Sequence, residues 1–204
     1  MEEESQIIHF GGKKFLVLLG VYKPAEDTFL LAENLEVKPE DTVLDLGTGC
    51  GILAILSSQK AKEVVALDIS RSSVKCAKLN AQLNGEESRT EFICGDLFGP
   101  FRKKPIFDLI LFNAPYLPGN ADDAKDLVDR AWYGGADGRR VIDAFLDAAS
   151  KYLKKGGRIF LVQSTLSNVD ETLERLRRLG FNARTIAKEA SFFETITLIE
   201  ARID

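Results

Sequence analysis

From Thr42 onward the sequence alternates between short apolar runs and helix-like segments, and this alternation constrains the fold more than any other feature. Glycine, aspartate or asparagine follows each of the first four apolar runs, as expected where buried strands end. Repeated β-α units form a mostly parallel sheet with helices on both faces. We therefore predict an α/β, Rossmann-like fold with seven sheet strands, at 42–46, 63–67, 90–94, 107–112, 158–163, 181–187 and 193–201.

The end of the chain breaks the alternation. The segments 181–187 and 193–201 are too close together for an intervening helix, so we predict an antiparallel hairpin. Before them, a helix over 139–153 is predicted to lead through Gly156-Gly157 into the strand 158–163. The apolar stretches Phe92–Cys94 and Phe193–Ile199 are candidates for an exposed sheet edge that a partner protein could use.

Composition restricts the classes of function. The chain has 204 residues, a net charge of -4, three cysteines and one histidine. One domain, spanning 1–204, is expected at this length. A zinc site or a Ser-His-Asp hydrolase is disfavoured, so we predict no metal ligands. The odd, separated cysteines suit reduced thiols in the cytoplasm. We expect neither a signal peptide nor a membrane span.

A glycine-rich loop follows the first sheet strand and marks a candidate cofactor site. Its candidate binding residues are Asp45, Gly47, Gly49 and Gly51. Glycines permit a tight turn and let backbone N–H groups and a helix N-terminus approach a ligand. The third glycine comes one residue too early for the G-x-G-x-x-G pattern of nicotinamide enzymes. The spacing instead resembles the S-adenosylmethionine site of Rossmann-like methyltransferases.

Two further aspartates occupy equivalent positions in the next β-α units. Asp68 ends the second sheet strand, where a carboxylate can bind both hydroxyls of a ribose. Asp96 follows the third strand, where a carboxylate can accept from an adenine amine, and Leu97 beside it is included in the cofactor set. The alternative is that these aspartates are helix N-caps or turn residues. Their order at successive strand ends favours the cofactor interpretation.

The tetrapeptide Asn113-Ala114-Pro115-Tyr116 follows the fourth sheet strand and is the candidate catalytic motif, and Asn113 is also included in the cofactor set. Asn113 offers a side-chain carbonyl, Ala114 a backbone carbonyl, and Tyr116 an aromatic face. Together these groups suit a planar, weakly nucleophilic NH2 group, with Pro115 keeping Ala114 extended. The alternative is an Asn-Pro turn after a strand. In open α/β sheets ligands bind at the carboxyl ends of the strands, which favours the amide-binding interpretation.

With these motifs in place, nearly the whole chain resembles the HemK/PrmC-type glutamine-N5 methyltransferases, in their short archaeal and eukaryotic branch. The similar segments are Val21–Thr28, Asp45–Gly51, Trp132–Arg139 and Asn113–Tyr116, where Ala114 replaces the first proline of an Asn-Pro-Pro-Tyr motif. The resemblance implies that residues 1–40 form a hairpin and helix that close over the cofactor, with Thr28 in contact, and that 41–204 form the core. Glu26 and Asp27 would close with Thr28, or would simply favour the dipole of a helix.

The same resemblance implies the reaction and the partners. It implies methyl transfer from S-adenosylmethionine to a glutamine side-chain amide, in the Gly-Gly-Gln loop of a class 1 translation release factor. It also implies a heterodimer with a small zinc-binding activator protein. Alternatives are an adenine-N6 or cytosine-N4 nucleic-acid methyltransferase, a protein lysine methyltransferase, and a non-enzymatic cofactor-binding scaffold. The acidic balance places nucleic acid below a protein substrate.

The segment 117–137 is unusually long and polar for a connection in a compact domain. With Trp132 and Tyr133 it is a candidate lid or peptide groove, although Trp132 is nearly as suited to the core. Arg139 and Arg140, at the start of the following helix, either contact the substrate or are solvated or paired with nearby acids.

Overall fold

A computed structural model describes residues 5–119, 132–191 and 193–203. Its strands are β1 Gln6–Phe10, β2 Lys13–Val17, β3 Thr42–Leu46, β4 Glu63–Asp68, β5 Thr90–Cys94, β6 Phe107–Asn113, β7 Leu153–Ser164, β8 Phe181–Ala190 and β9 Thr195–Ile203. Its helices are α1 Glu26–Glu33, α2 Ile52–Ser58, α3 Arg71–Asn84, α4 Arg140–Ala149 and α5 Val169–Arg178. The predicted connection 117–137 is described only at its two ends, because 120–131 lie outside the described residues.

The described residues form a seven-stranded sheet in the order β5-β4-β3-β6-β7-β9-β8. The first five strands of that order are parallel, whereas β9 is antiparallel to β7 and β8. Burial is nearly continuous along β3 and β6, because both faces of the central sheet are covered. The predicted α/β fold with a terminal antiparallel hairpin is therefore confirmed.

Two predicted boundaries at the centre of the sheet are wrong. The helix α4 ends at Ala149 and not at Leu153, because Leu153 is buried and pairs with Phe107 of β6. The strand β7 then passes through Gly156 and Gly157 instead of beginning after them. The ladder is irregular at this point, and Gly156 has a φ of 74°, so the two glycines form a bulge within the strand and do not end it.

The sheet edges also differ from one expectation. The stretch Phe92–Cys94 lies in β5, which is an edge strand as anticipated. The stretch Phe193–Ile199 is not at an edge, because β9 lies between β7 and β8. In a hairpin either strand can be the inner one, and here the almost fully buried β9 takes that place while β8 is half exposed. Within the described ranges, no helix is both long and apolar enough to span a membrane.

The N-terminal hairpin of β1 and β2 is held against the core by two asparagines of α3. Asn80, fully buried, accepts from Leu16 N–H (2.7 Å) and donates to the carbonyls of Leu16 (2.7 Å) and Cys50 (2.8 Å). One turn later, Asn84 pairs in the same way with the N–H and C=O of Lys14 (3.2 and 2.8 Å). These side-chain amides take the place of a neighbouring strand along the free edge of β2.

We predict that Asn80→Ala lowers the free energy of unfolding by about 2–4 kcal/mol, because it removes the side-chain partner of the Leu16 N–H and of the Cys50 carbonyl. The more exposed Asn84→Ala is the matched control, on the same helix and against the same strand, and should cost less than about 1 kcal/mol. Urea denaturation of both variants measures the difference. Equal losses would mean that Asn80 is not what anchors the hairpin.

Candidate functional site

A cavity of about 800 Å³ lies at the carboxyl edge of the sheet, where β3, β4, β5 and β6 end. Most of the residues predicted for the site line it, namely Thr28, Gly47, Gly49, Asp68, Asp96, Leu97, Asn113, Ala114, Pro115 and Tyr116. Asp45 and Gly51, predicted to bind the cofactor, lie behind this lining and not in it. Most of the predicted site residues therefore belong to the lining, and the structure separates them from the two that support it.

The glycine loop is shaped by its neighbours as well as by its own backbone. Gly51 has a φ of 88°, and an added Cβ would lie 2.9 Å from Ala77 Cα, so a side chain here would separate α2 from α3. Gly49 also has a positive φ, of 56°, but has open space around it. Gly51 thus sets the packing behind the loop, whereas Gly49 leaves its cavity side free for a ligand.

Asp45 anchors the loop from inside the core. Its Oδ2 accepts from Thr48 Oγ1 (2.7 Å) and from Ala54 N–H (3.0 Å), which joins the loop to the start of α2. Its Oδ1 is buried and has no hydrogen-bond partner. Burial raises the pKa of Asp45 to about 7, since loss of solvation outweighs the two hydrogen bonds that favour the carboxylate.

Asp68 connects the loop to the next β-α unit. Its Oδ2 accepts from Gly49 N–H (2.9 Å) and its Oδ1 accepts from Ser70 N–H (2.8 Å). Burial raises the pKa of this carboxyl, although both backbone hydrogen bonds act in the opposite direction. Each carboxylate oxygen can accept more than one hydrogen bond, so the side chain can bind hydroxyl groups in the cavity while it holds the loop.

Asp96 and Leu97 form the outer wall beyond β5. The Asp96 side chain is exposed, and its backbone carbonyl accepts from Gly99 N–H (2.9 Å) in a tight turn. Leu97 has a φ of 42°, in the left-handed region that non-glycine residues seldom occupy. Strained backbone of this kind is concentrated at ligand sites, and here it borders the cavity.

Asn113 presents an oriented amide to the cavity. Its Nδ2 donates to Thr28 Oγ1 (3.2 Å), which comes from α1 of the N-terminal segment. Its Oδ1 is buried without a hydrogen-bond partner. Buried polar atoms are rarely left unpaired, so this carbonyl is an acceptor available to a ligand.

Burial and hydrogen bonds also hold Ala114 and Tyr116 of the motif in place. Ala114 is buried, and its N–H donates to Val162 O (3.4 Å), while no described residue donates a hydrogen bond to its carbonyl. Tyr116 is buried, and its hydroxyl donates to Asp27 Oδ2 (3.3 Å). Burial and the nearby Asp27 carboxylate raise the pKa of Tyr116, which keeps the phenol protonated. The motif therefore places two carbonyl acceptors beside a neutral aromatic ring.

The ends of the long connection complete the cavity wall. Leu117 N–H donates to Trp132 O, and Gly134 N–H donates to Leu117 O, each at 2.9 Å, so the segment after 131 runs beside the motif. The Trp132 ring is half-buried and meets the Tyr22 ring edge to face at 4.7 Å. Trp132 and Tyr133 line the cavity, and residues 120–131 of the predicted lid lie outside the described residues.

Arg139 and Arg140 have different roles. Arg139 is buried, donating to the carbonyls of Ser167 (2.6 Å) and Asn168 (2.9 Å) and to Asp143 Oδ1 (2.8 Å). It therefore joins α4 to α5 and does not contact a substrate, whereas the exposed Arg140 borders the cavity. Among the described residues, no group of three or more His, Cys, Asp or Glu side chains is arranged to hold a metal ion.

Sequence reasoning placed Asp27 in the segment that closes over the cofactor, but it predicted no contact of Tyr22 or Asp27 with the catalytic motif. Asp27 is 4% exposed, although an acid in the first turn of a helix is normally solvated. Tyr22 hydroxyl donates to its carboxylate at 2.8 Å, and Thr28 Oγ1 donates to Asp27 Oδ1 at 3.1 Å. The spacing of a tyrosine five residues before the aspartate was visible in the sequence, but their contact with Tyr116 depends on the fold.

Comparison with known proteins assigns this chain to a family. The methyltransferase small domain family matches residues 17–194. A Methanocaldococcus jannaschii protein, provisionally named as a protein N5-glutamine methyltransferase, is 41% identical over 96% of this chain and 98% of its own. The chain belongs to the HemK-type glutamine methyltransferases. Methyltransferase HEMK2 from Mus musculus, which is 30% identical over 81% of each chain, is a further HemK-type relative.

Solved structures agree with this assignment of a HemK-type methyltransferase. The E. cuniculi Mtq2-Trm112 complex, described as responsible for methylation of the eRF1 translation termination factor, contains a similar chain. That chain has a TM-score of 0.67 and 27% identity, over 91% of this chain and 100% of its own. An M. jannaschii tRNA m1G37 methyltransferase has a TM-score of 0.72 but 20% identity, and supports the fold alone.

The cavity of this HemK-type methyltransferase fits a nucleoside-bearing cofactor. Its volume of about 800 Å³ is within the range of small-molecule sites. Asp68 presents a carboxylate beside the open face of Gly49, and the exposed Asp96 stands at the next strand end. A ribose hydroxyl pair and an amine, the polar groups of an adenosine, match these two carboxylates.

We predict that Asp68→Ala weakens binding of S-adenosylmethionine by about 10–100-fold, because hydrogen bonds to a charged acceptor are lost. Glu63→Ala is the matched control, since Glu63 is an exposed acid at the opposite end of β4. Isothermal titration calorimetry of both variants measures the effect. Unchanged affinity in Asp68→Ala would remove Asp68 from the binding site.

We predict that Asp45 makes stability fall as pH rises. Because its folded pKa of about 7 exceeds the ordinary value of 3.8, the folded state binds a proton more tightly than the unfolded chain between these values. The free energy of unfolding should fall by roughly 2–3 kcal/mol more in wild type than in Asp45→Asn between pH 5 and pH 8. Urea denaturation at both pH values gives the comparison, and identical pH dependences would contradict it.

Proposed function

We propose that this methyltransferase uses S-adenosylmethionine to methylate the side-chain amide nitrogen of a glutamine, in the Gly-Gly-Gln loop of a class 1 translation release factor. The observation that carries the proposal is the buried Asn113 Oδ1, which lacks a partner and lies one residue from the Ala114 carbonyl. A primary amide has two N–H donors and a planar face. The carbonyls of Asn113 and Ala114 can accept from the two N–H donors, and the Tyr116 ring can pack on the planar face.

The cofactor is assigned to the part of the cavity formed by β3, β4 and β5. We assign Asp68 to the ribose and Asp96 with Leu97 to the adenine, with Gly47 and Gly49 bordering the methionine end. Asp45 and Gly51 hold the shape of this wall from behind. The segment 20–28 also contributes lining residues, which supports the proposal that residues 1–40 close over the cofactor.

The chemistry requires alignment more than activation. Bound S-adenosylmethionine supplies an electrophilic methyl group on a sulfonium. Asn113 Oδ1 and the Ala114 carbonyl accept the two N–H groups of the glutamine amide and direct the nitrogen lone pair, which is otherwise delocalised into the amide. The same two oxygens stabilise the positive charge that develops on nitrogen as the new N–C bond forms and the bond between the methyl group and sulfur breaks, with its electron pair left on the neutral thioether S-adenosylhomocysteine. The nitrogen then releases one proton to water, and the product is a neutral N5-methyl amide.

Ala114 replaces a proline of the family motif without removing this chemistry. The acceptor is a backbone carbonyl, which alanine supplies as well. Pro115 restricts Ala114 to extended backbone, and the N–H of Ala114, which proline would lack, donates to Val162 O at 3.4 Å. That hydrogen bond replaces part of the rigidity that a second proline would give.

A partner protein is the second element of the proposal. The similar E. cuniculi chain was solved as the Mtq2-Trm112 complex. In the present protein the edge strand β5 has unpaired backbone groups along one side, which a partner can use. We propose a small zinc-binding activator protein as that partner, and a cytoplasmic location beside the translation machinery, consistent with the free thiols of Cys50, Cys76 and Cys94.

Labelled S-adenosylmethionine offered to different acceptors tests the function. We expect label in a class 1 release factor, and not in DNA, tRNA or a histone-like peptide, each assayed with and without the zinc-binding partner. Label in DNA or tRNA would indicate a nucleic-acid methyltransferase. Label in the histone-like peptide would indicate lysine methylation, and no label anywhere would indicate a cofactor-binding scaffold.

We predict that Asn113→Ala lowers turnover by at least about 100-fold, as loss of an oriented group at the reacting centre does. Cofactor affinity should stay within about threefold, because the assigned cofactor contacts are elsewhere. Asn182→Ala, at an exposed position of β8, is the control. Steady-state methylation and calorimetry measure the two effects, and wild-type turnover in Asn113→Ala would contradict the assigned role.

A further inference from the structure

A buried hydrogen-bond network centred on Asp27 connects the N-terminal segment to the catalytic motif. Its carboxylate accepts from the Tyr22 hydroxyl (2.8 Å), Thr28 Oγ1 (3.1 Å), Thr28 N–H (2.5 Å) and the Tyr116 hydroxyl (3.3 Å). Tyr22, Asp27, Thr28 and Tyr116 all line the cavity. A network whose members all border one cavity is positioned to act on what binds there.

The direction of each hydrogen bond in this network is fixed. Thr28 has a single hydroxyl proton, which it donates to Asp27 Oδ1, so Thr28 Oγ1 can only accept from Asn113. The Asn113 amide must therefore direct its NH2 group toward Thr28, at 3.2 Å. Its carbonyl oxygen is consequently the atom left without a partner. A reversed amide would place two donors toward a substrate NH2 group and would repel it.

The network ends at an unpaired acceptor on a residue that lines the cavity, unlike the unpaired Oδ1 of Asp45, which belongs to a residue behind the lining. Structural polar networks normally satisfy every buried member, since each unpaired group costs free energy. Here Asp27 receives four hydrogen bonds, yet the network ends at an acceptor that has none. The hydrogen bonds of the paired members stabilise one orientation of the Asn113 amide. That orientation is useful only when a hydrogen-bond donor occupies the cavity.

We propose that Asp27 and Thr28 are positioning residues that set the amide orientation of Asn113 before the substrate binds, while Asp27 also fixes the Tyr116 ring. The inference rests on the proposed glutamine methylation and assigns a role in it to the N-terminal segment. Thr28, expected from the sequence to contact the cofactor, acts on the acceptor side of the cavity through Asn113. Tyr22 and its contact with Trp132 hold Asp27 from the opposite side.

Replacement of Thr28 by Val and by Ser tests the relay. Thr28→Val keeps the shape of the side chain but removes the hydroxyl, and kcat should fall about 10–100-fold as alignment is lost. Cofactor affinity by calorimetry should change less than about threefold, and Thr28→Ser should restore most of the activity. A loss of cofactor affinity as large as the loss of kcat would assign Thr28 to the cofactor and overturn the relay.

Asp27→Asn tests the centre of the network in the same assay. An amide accepts with one atom only, so one of the two tyrosine hydroxyls loses its acceptor and kcat should fall by at least about tenfold. Glu33→Gln, at the exposed end of the same helix, is the matched control and should leave kcat unchanged. Wild-type kcat in Asp27→Asn would contradict the proposal.

A measurement without any acceptor separates this inference from the proposed function. In protein labelled with 15N-asparagine, the side-chain amide signals of Asn113 are identified by their absence in Asn113→Asp. Their solvent-exchange rate should rise at least about tenfold in Thr28→Val and not in Thr28→Ser, because the Nδ2 hydrogen bond protects them. Equal exchange rates in wild type and Thr28→Val would overturn the relay. Absence of methylation by the wild-type enzyme would overturn only the proposed function.

Discussion

The parallel pairing of β3 with β4 and β6 is the constraint on which the site depends. Leu46 is in register with Leu67 of β4 and with Phe112 of β6. The residues that follow, Gly47, Asp68 and Asn113, therefore leave the sheet at the same edge. The loop after β3 then binds Asp68 through Gly49 N–H, and the amide of Asn113 extends from the other side. A shift of one residue in either strand pairing would turn these side chains to the opposite face of the sheet. The proposed cofactor residues would then be separated from the proposed catalytic residues.

The N-terminal segment completes an edge that the sheet alone leaves open. Asn80 of α3 holds β2 and the Cys50 carbonyl, so hairpin and glycine loop share one support. The segment then turns into α1, where Asp27 and Thr28 reach the motif after β6. The phenol of Tyr116 stays protonated, and Asn113, whose buried Oδ1 has no described partner, is one of the residues that line the cavity. In the proposed reaction this arrangement selects an NH2 group by the direction of its hydrogen bonds.

The fold and the strand-end residues of the cavity were accessible from the sequence because they depend on local pattern. Strand ends followed by glycine, aspartate or asparagine predicted the positions of Gly47, Asp68, Asp96 and Asn113 at one edge. The sequence did not reveal that β9 inserts between β7 and β8, since either strand of a hairpin can be inner. Nor did it separate Asp45, a buried anchor, from Asp68, a lining residue, because both aspartates lie at the ends of strands. The role of Asp27 depends on contacts between residues 89 positions apart, which no local pattern encodes.

The central claim is that the methyl group is transferred to the side-chain nitrogen of a glutamine. The bond formed in that reaction can be observed directly. A class 1 release factor labelled with 15N in its glutamine side chains would be incubated with the enzyme and with S-adenosylmethionine carrying a 13C methyl group. We expect a one-bond 13C–15N coupling in the product, at the glutamine of the Gly-Gly-Gln loop. A transferred methyl group without that coupling, or with the coupling at another glutamine, would contradict the account.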